Sequence, residues 1–350
     1  MKAVIIGGAG FIGINAVYSF LGKGYEVVVV DNLSRKGSAY NLEQLHQKHD
    51  VPFHNIDIRN ADAIAAFFEQ EKDLDAVLLL AGQVAVTTSV TNPREDFDIN
   101  AMGTFNVLEG LRLSGQKPLL LYSSTNKVYG KMEDLQVEES DKRYEYRDLK
   151  TGITEERQLD FYSPYGCSKG TGDQYVRDYN RIYGIPTVVF RQSCIYGPNQ
   201  FGIEDQGWVA WFTIATLMKR EITIYGDGKQ IRDVLFVNDL VELYDMAIRQ
   251  RALCAGKIYN VGGGPDHTLS LKELISILEE RFNRPIDRKT SEWRPGDQKV
   301  YVSNIDKVKA DLGWEPTTGI ATGINAMAEW IEANRDILNH YVFGKSLTAS

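Results

Sequence analysis

A chain of 350 residues that is 43% hydrophobic and 25% charged has the balance of a folded globular protein, which excludes a disordered or low-complexity reading. Its formal net charge of -8 excludes the broad basic footprint that nucleic acid needs, so a phosphate-bearing small molecule would have to be met by local cations and backbone amides. Cys167, Cys194 and Cys254 have neither disulfide-framework nor metal-ligand spacing, and no apolar run reaches the roughly 20 residues of a membrane helix. The expectation is a cytoplasmic protein with no metal site, no membrane partner and no nucleic acid.

In chain order, Ala3 to Ile6 reads as the first strand, and Gly7 and Gly8 cut it far short of a signal-peptide core. The motif Gly7-x-x-Gly10-x-x-Gly13 follows directly and opens a helix to Lys23. Glycines at that spacing permit a tight turn, close approach of backbone to a pyrophosphate, and close packing of helix on strand, with the anion at a helix amino terminus. The second strand, Glu26 to Val30, ends on Asp31, whose carboxylate suits a ribose diol and repels a 2'-phosphate, favouring NAD over NADP. Arg35 leaves two roles open, pairing a 2'-phosphate or lying across an adenine. Asp57-Ile58 is placed to touch adenine or is an ordinary strand-end pair. Helix Ala61 to Gln70, strand Ala76 to Leu80, helix Asn100 to Leu113, strand Leu119 to Ser123, helix Ser168 to Tyr183 and strand Thr187 to Gln192 continue the alternation. The pattern predicts a Rossmann-type doubly wound parallel sheet with ligands outside the carboxyl ends of its strands.

Two constellations stand at that edge. Tyr165-Gly166-Cys167-Ser168-Lys169 leads into a helix, and its spacing of four puts phenol and ammonium on one face. A phenol with an ordinary pKa near 10 is a poor base at neutral pH, and a neighbouring ammonium and a positive nicotinamide would favour its phenolate. Alone, such a pair is usually a surface feature; behind a dinucleotide motif it reads as an acid/base. Tyr122-Ser123-Ser124-Thr125-Asn126-Lys127-Val128-Tyr129-Gly130 closes another strand, where Thr125 can orient a reacting oxygen or simply belong to a polar turn.

The charged stretch Glu138 to Asp160, with Tyr144 and Tyr146, reads either as a solvated loop or as a lid. After Gly197, glycine- and proline-bearing loops separate shorter helices, Leu269 to Phe282 and Ile320 to Asn334 among them. The expected division is a nucleotide-binding domain over 1–196, a smaller C-terminal substrate-binding lobe over 197–340 with the chain recrossing between the two, and a tail over 341–350. Trp208 and Trp211 have helical spacing, which points to core packing.

The glycine motif, Ser123-Ser124-Thr125 with Val128-Tyr129-Gly130, and Tyr165 with Lys169 together resemble the extended short-chain dehydrogenase/reductase family over nearly the whole chain. The resemblance implies a catalytic triad of Thr125, Tyr165 and Lys169, with Asn100 supporting the lysine through the helix it begins. It implies a cofactor set of Gly7, Gly10, Phe11, Ile12, Gly13, Asp31, Asn32, Ser34, Arg35, Asp57, Ile58, Leu80, Ala81, Gln83, Asn100, Ser123 and Ser193, besides Tyr165 and Lys169. Nucleotide-sugar 4,6-dehydratases of this family carry Asp-Glu after the catalytic threonine; Asn126-Lys127 stands here, and an amide and a cation cannot supply that acid and base. Asp31 to Gly37, Leu80 to Ala85, Gln158 to Phe161, Ser163 to Gly170 and Asp205 to Val209 resemble a branch that inverts carbon 2 of CDP-linked sugars through a transient 2-ketone with NAD. That implies a CDP-sugar partner, CDP-paratose giving CDP-tyvelose or CDP-glucose giving CDP-mannose, with Thr125, Asn126, Cys194, Arg232 and Arg294 on the substrate side. Each arginine could equally be a surface ion pair. Cys194 departs from the family's asparagine, which contacts substrate phosphate. The family also pairs subunits through helices beginning near Asn100 and Ser168, so a homo-oligomer is expected.

Overall fold

A computed structural model describes residues 1–294 and 297–344. Strands β1 (Lys2–Ile6), β2 (Glu26–Asp31), β3 (Phe53–Asn55), β4 (Ala76–Leu79) and β5 (Leu119–Thr125) join Thr187–Gln192 and Ile258–Val261 in one parallel sheet. From one edge the order is Ile258–Val261, Thr187–Gln192, β5, β4, β1, β2, β3, which reverses direction between β1 and β4. These strands are runs of Val, Ile and Leu because both faces are covered. Alternation along β1 sends Ala3 and Ile5 into the core under α1 (Phe11–Gly22) and the helix Val237–Arg249. Val4 and Ile6 face the core under helices Ala61–Gln70, Gly103–Ser114 and Ser163–Tyr183.

Two helix starts differ from the sequence reading. Asn100 does not begin a helix; it lies in a π-helical turn, Asp98–Met102, between Pro93–Phe97 and Gly103–Ser114. The path begins at Asn92, whose side chain caps it, with Pro93 in the first turn. The helix expected from Ser168 starts at Ser163, again with proline, Pro164, in its first turn. Proline at the first helical position gives up only an amide that has no intrahelical partner, so in both places it starts a helix rather than breaking one.

One residue past Gln192 the chain enters a second sheet. There Ile231–Phe236 pairs with Cys194–Tyr196 and Val300–Tyr301 in parallel and with Thr268–Ser270 antiparallel. Between these segments the chain returns to the first core, where Val237–Arg249 packs beside α1 and Ile258–Val261 edges the large sheet. The helix Trp208–Leu217 packs on the second core, and Trp208 and Trp211 rest against it partly buried. The stretch 138–160 is not a solvated loop. Val137–Glu139 and Tyr144–Tyr146 form a hairpin whose Tyr144 and Tyr146, each 5% exposed, pack with Val128, Tyr129, Val300 and Tyr301. The helix Arg335–Phe343 carries the chain into the stretch expected as a tail; residues 345–350, like Pro295 and Gly296, lie outside the described residues.

Candidate active site

A cleft of about 340 Å³ opens at the carboxyl ends of β1, β2 and β4, where the sheet order reverses. Gly7, Gly10, Phe11, Ile12 and Gly13 line it with Asp31, Asn32, Ser34, Arg35, Asp57, Ile58, Leu80, Ala81 and Gln83. The local fold suits a dinucleotide. A Cβ at Gly7 would stand 2.6 Å from the Ala81 amide nitrogen, and one at Gly13 would stand 2.1 Å from the Gly7 carbonyl, so only glycine lets these segments touch. The residue capping α1 is Gly10, which has no side chain to satisfy the first-turn amides and leaves them to an anion. Asp31 ends β2 with its carboxylate accepting from the amides of Ala9 at 3.1 Å and Leu33 at 2.8 Å. Burial raises its pKa against those amides, which favour the ionised form. Asp57 lies across the cleft mouth, held low at about 2 by Arg59 and accepting from Asn32 at 2.8 Å.

Asn100, Ser123, Tyr165, Lys169 and Ser193 do not line that cleft. The Gln83 amide donates to Asn100 Oδ1 at 3.0 Å, and a Cβ on Gly82 would come within 3.9 Å of Lys169 Nζ, so the cleft wall and the lysine are neighbours. Ser123 donates to Gln192 of the neighbouring strand at 2.8 Å, and Ser193 donates at 2.5 Å to Asp233, which ties the end of the large sheet to the second one.

Tyr165 stands in the first turn of Ser163–Tyr183 and is hydrogen-bonded to Thr125, the last residue of β5. The turn is entered through Ser163, whose φ of 72° is left-handed and whose Oγ accepts from the Gly166 amide at 3.2 Å. Burial pushes the Tyr165 phenol up to about 12, while the Thr125 hydroxyl and the Arg35 guanidinium pull it down and Asp96 opposes them. Burial likewise brings Lys169 down to about 7, against the charges of Asp173 and Asp96. The ammonium lies 4.3 Å from the centroid of the Tyr122 ring. The cation felt by the phenol is thus Arg35, which the sequence reading had set against the adenosine end of a dinucleotide.

On the far side of Thr125, Asn126 Oδ1 accepts from the Thr125 hydroxyl at 3.3 Å. Lys127, Cys194 and Arg232 are close enough to feel one another's charge. Burial and Arg232 together bring Lys127 down to about 8. Cys194 accepts from the Trp208 indole at 3.4 Å, and Arg232 donates to the Ile231 carbonyl at 2.7 Å. Arg294 is engaged elsewhere, paired with Asp205 at 3.0 Å and stacked 3.8 Å over Tyr225. The sequence reading passed over Asp96, a buried carboxylate bonded to Gln83, Asn100 and Ser168, and the buried pair Arg191–Asp173 beneath Ser124. Asp96 stands four residues before Asn100, one helical turn along the same face, and that spacing was a readable signal.

The family described as GDP-mannose 4,6 dehydratase matches residues 4–327. The chain is 42% identical over 335 residues to CDP-paratose 2-epimerase of Salmonella typhi, covering 94% of this chain and 99% of that one. It is 31% identical to a putative UDP-glucose 4-epimerase of Methanocaldococcus jannaschii, over 95% and 98% of the two chains. The structure of Thermus thermophilus UDP-glucose 4-epimerase in complex with NAD superposes with a TM-score of 0.80 at 28% identity, over 95% of this chain and 99% of that one.

Proposed function

Because the chain belongs to the GDP-mannose 4,6-dehydratase family, the nucleotide-sugar epimerases and dehydratases of the extended short-chain dehydrogenases, we propose that it is an NAD-dependent epimerase inverting carbon 2 of a CDP-linked hexose. The observation that carries this reading is Thr125 bonded to Tyr165 with Asn126 and Lys127 beside them, where dehydration would need a carboxylic acid and a carboxylate. NAD, when bound, would supply the acceptor and donor of the hydride at carbon 2. The glycine motif, the open amides of α1 and Asp31 would hold it.

Tyr165 takes the proton of the sugar 2-hydroxyl and later returns it to the same oxygen. Thr125 fixes that oxygen beside the phenol. Arg35 stabilises the phenolate that burial alone disfavours, and a protonated Lys169, four residues along the same helix face, would add to it. Between the two transfers the 2-ketone presents its opposite face, so one acid/base serves both directions and no net redox occurs. Residues up to Ser193 would form the cofactor side, and the second lobe would supply Cys194 and Arg232 toward the CDP moiety, with Arg294 joining them only on leaving Asp205. The preferred substrate is CDP-paratose, giving CDP-tyvelose; the CDP-glucose to CDP-mannose conversion is the second reading, since the same groups act at carbon 2.

Proton NMR of the enzyme with CDP-paratose, CDP-glucose and UDP-glucose tests the assignment. Inversion at carbon 2 of a CDP-sugar is expected; inversion at carbon 4, or NADH released in proportion to substrate, overturns it. In heavy water the product should carry no deuterium on carbon. We also propose a homo-oligomer in the cytosol. Phe97, Met102, Leu113, Tyr175, Ile182 and Tyr183 are exposed on the helical stretches 93–114 and 163–183, and the exposed free thiol of Cys167 suits a reducing compartment. A monomer by light scattering at assay concentration overturns the oligomer.

A further inference from the structure

The carboxylate of Asp96 lies in the short helix Pro93–Phe97 and is 1% exposed. Its Oδ1 accepts from Gln83 Nε2 at 2.9 Å and Asn100 Nδ2 at 3.1 Å, and its Oδ2 accepts from Ser168 Oγ at 2.5 Å. The orientation of both amides is pinned by backbone donors. The Ala85 amide donates to Gln83 Oε1, and the Gln83 amide donates to Asn100 Oδ1 at 3.0 Å, so each NH2 must face Asp96. Asn100 Nδ2 also donates to Ser168 Oγ at 3.2 Å, which leaves the serine hydrogen for Asp96. Three donors converge on one buried side chain, an arrangement that fits a carboxylate and mismatches a carboxylic acid.

The π-turn Asp98–Met102 contributes here. A helix widened by one residue re-aims the side chain of Asn100, and that side chain joins the Gln83 loop to the helix bearing Tyr165 and Lys169. We propose that Asp96 is a positioning residue for the reaction, a buried anion locked under the catalytic helix that keeps Lys169 protonated when the phenol gives and takes its proton. The groups facing this pair are few. From the catalytic helix come Tyr165, Cys167, Lys169 and Asp173, and from β5 the face of Tyr122. The packed helix Val86–Thr91 brings no titratable side chain. On the helix of Asp96 itself, Arg94 is spent on Asp98 at 2.7 Å and Glu95 accepts from Asn92 at 2.7 Å. Asp96 acts at one remove from the substrate, through Lys169.

The inference rests on Tyr165 and Lys169 being the reacting pair, and its test reads the lysine directly. Asp96→Asn keeps the shape and the bonds: its carbonyl accepts from Gln83 and Asn100, its NH2 donates to Ser168, and the serine turns its hydrogen to the Tyr165 carbonyl 3.2 Å away. In holoenzyme labelled with 13Cε-lysine, the Lys169 signal, assigned by its loss in Lys169→Arg, should titrate on the order of one pH unit lower in Asp96→Asn than in wild type. The alkaline limb of the kcat profile should move down by the same amount, whereas a merely structural role would lower stability and leave both in place. An unchanged lysine midpoint overturns the inference, whether or not the enzyme epimerises CDP-sugars; absence of epimerisation with a shifted midpoint overturns the proposed reaction alone. Should Asp96→Asn not fold, the 13Cγ shift of Asp96 in wild type decides. An ionised carboxyl across neutral pH is expected, and a protonated one overturns the proposal.

Discussion

Replacing Asp173 by asparagine tests how the end of β5 is held against the catalytic helix. Asp173 and Arg191 form a two-pronged pair at 2.9 and 3.0 Å, with side chains 0% and 3% exposed. Asp173 Oδ2 also accepts from Ser124 at 2.8 Å, and Arg191 donates to the Tyr129 hydroxyl at 3.0 Å. An asparagine keeps the volume and one acceptor, so no cavity opens, but the guanidinium is left buried without its counter-charge. Breaking a buried pair from one side costs about 3–5 kcal/mol. The remaining amide oxygen and the Tyr129 hydroxyl soften this, so a loss of about 3 kcal/mol at neutral pH is expected. In urea this appears as a lower midpoint at unchanged slope, and in a thermal scan as a fall of about 4 °C. Replacing both partners, Asp173→Leu with Arg191→Met, should recover most of the loss because no charge is then stranded. A loss below about 1 kcal/mol in Asp173→Asn, or a double variant no more stable than the single, refutes the account.

Gly13→Ala forces a methyl to within 2.1 Å of the Gly7 carbonyl and should yield protein with little bound NAD, measured as cofactor released on denaturation. Tyr165→Phe should lower kcat at least about a hundredfold while leaving bound NAD unchanged. Lys169 has a folded pKa of about 7, below its unfolded value near 10.4, so the unfolded chain binds more protons between those values and stability rises with pH across that window. Lys169→Met should remove that rise, on the order of 3 kcal/mol, in denaturation curves of cofactor-stripped protein at neutral and alkaline pH. Arg232→Met should raise KM for the CDP-sugar several-fold at nearly constant kcat, and a fall confined to kcat would speak against a substrate-anion role.

The large sheet was legible because buried parallel strands are written as short β-branched runs, and the glycine motif because its spacing allows little else. Asp31, Tyr165 and Lys169 followed from their places at strand and helix ends. The helix starts at Asn92-Pro93 and Ser163-Pro164 were hidden because proline reads as an interruption unless the capping residue before it is weighed. The hairpin near Tyr144 was masked by its charges, although Tyr144 and Tyr146 flanking Glu145 follow the period of a strand with one buried face. The spacing of Asp96 and Asn100 was readable, but the rest of the Asp96 site and the Arg191–Asp173 pair draw on neighbours far along the chain, Ser168 in one case and Ser124 in the other, and local pattern carries no trace of such meetings.

The return of the chain from the second sheet to the edge strand Ile258–Val261 has a bearing on how substrate preference can be rebuilt in this scaffold. The part of the molecule outside the large sheet is stitched from three separate stretches: the hairpin around Tyr144, the run from Cys194 to Phe236, and the run from Gly262 onward. No single cut and splice transplants it, since any contiguous exchange that includes Arg232 and Arg294 also exchanges the strand that closes the large sheet. Chimeras with a relative should therefore be assembled from three grafts that leave residues 237–261 native, and a two-point crossover spanning 194–294 should express poorly because it pairs a foreign edge strand with Thr187–Gln192.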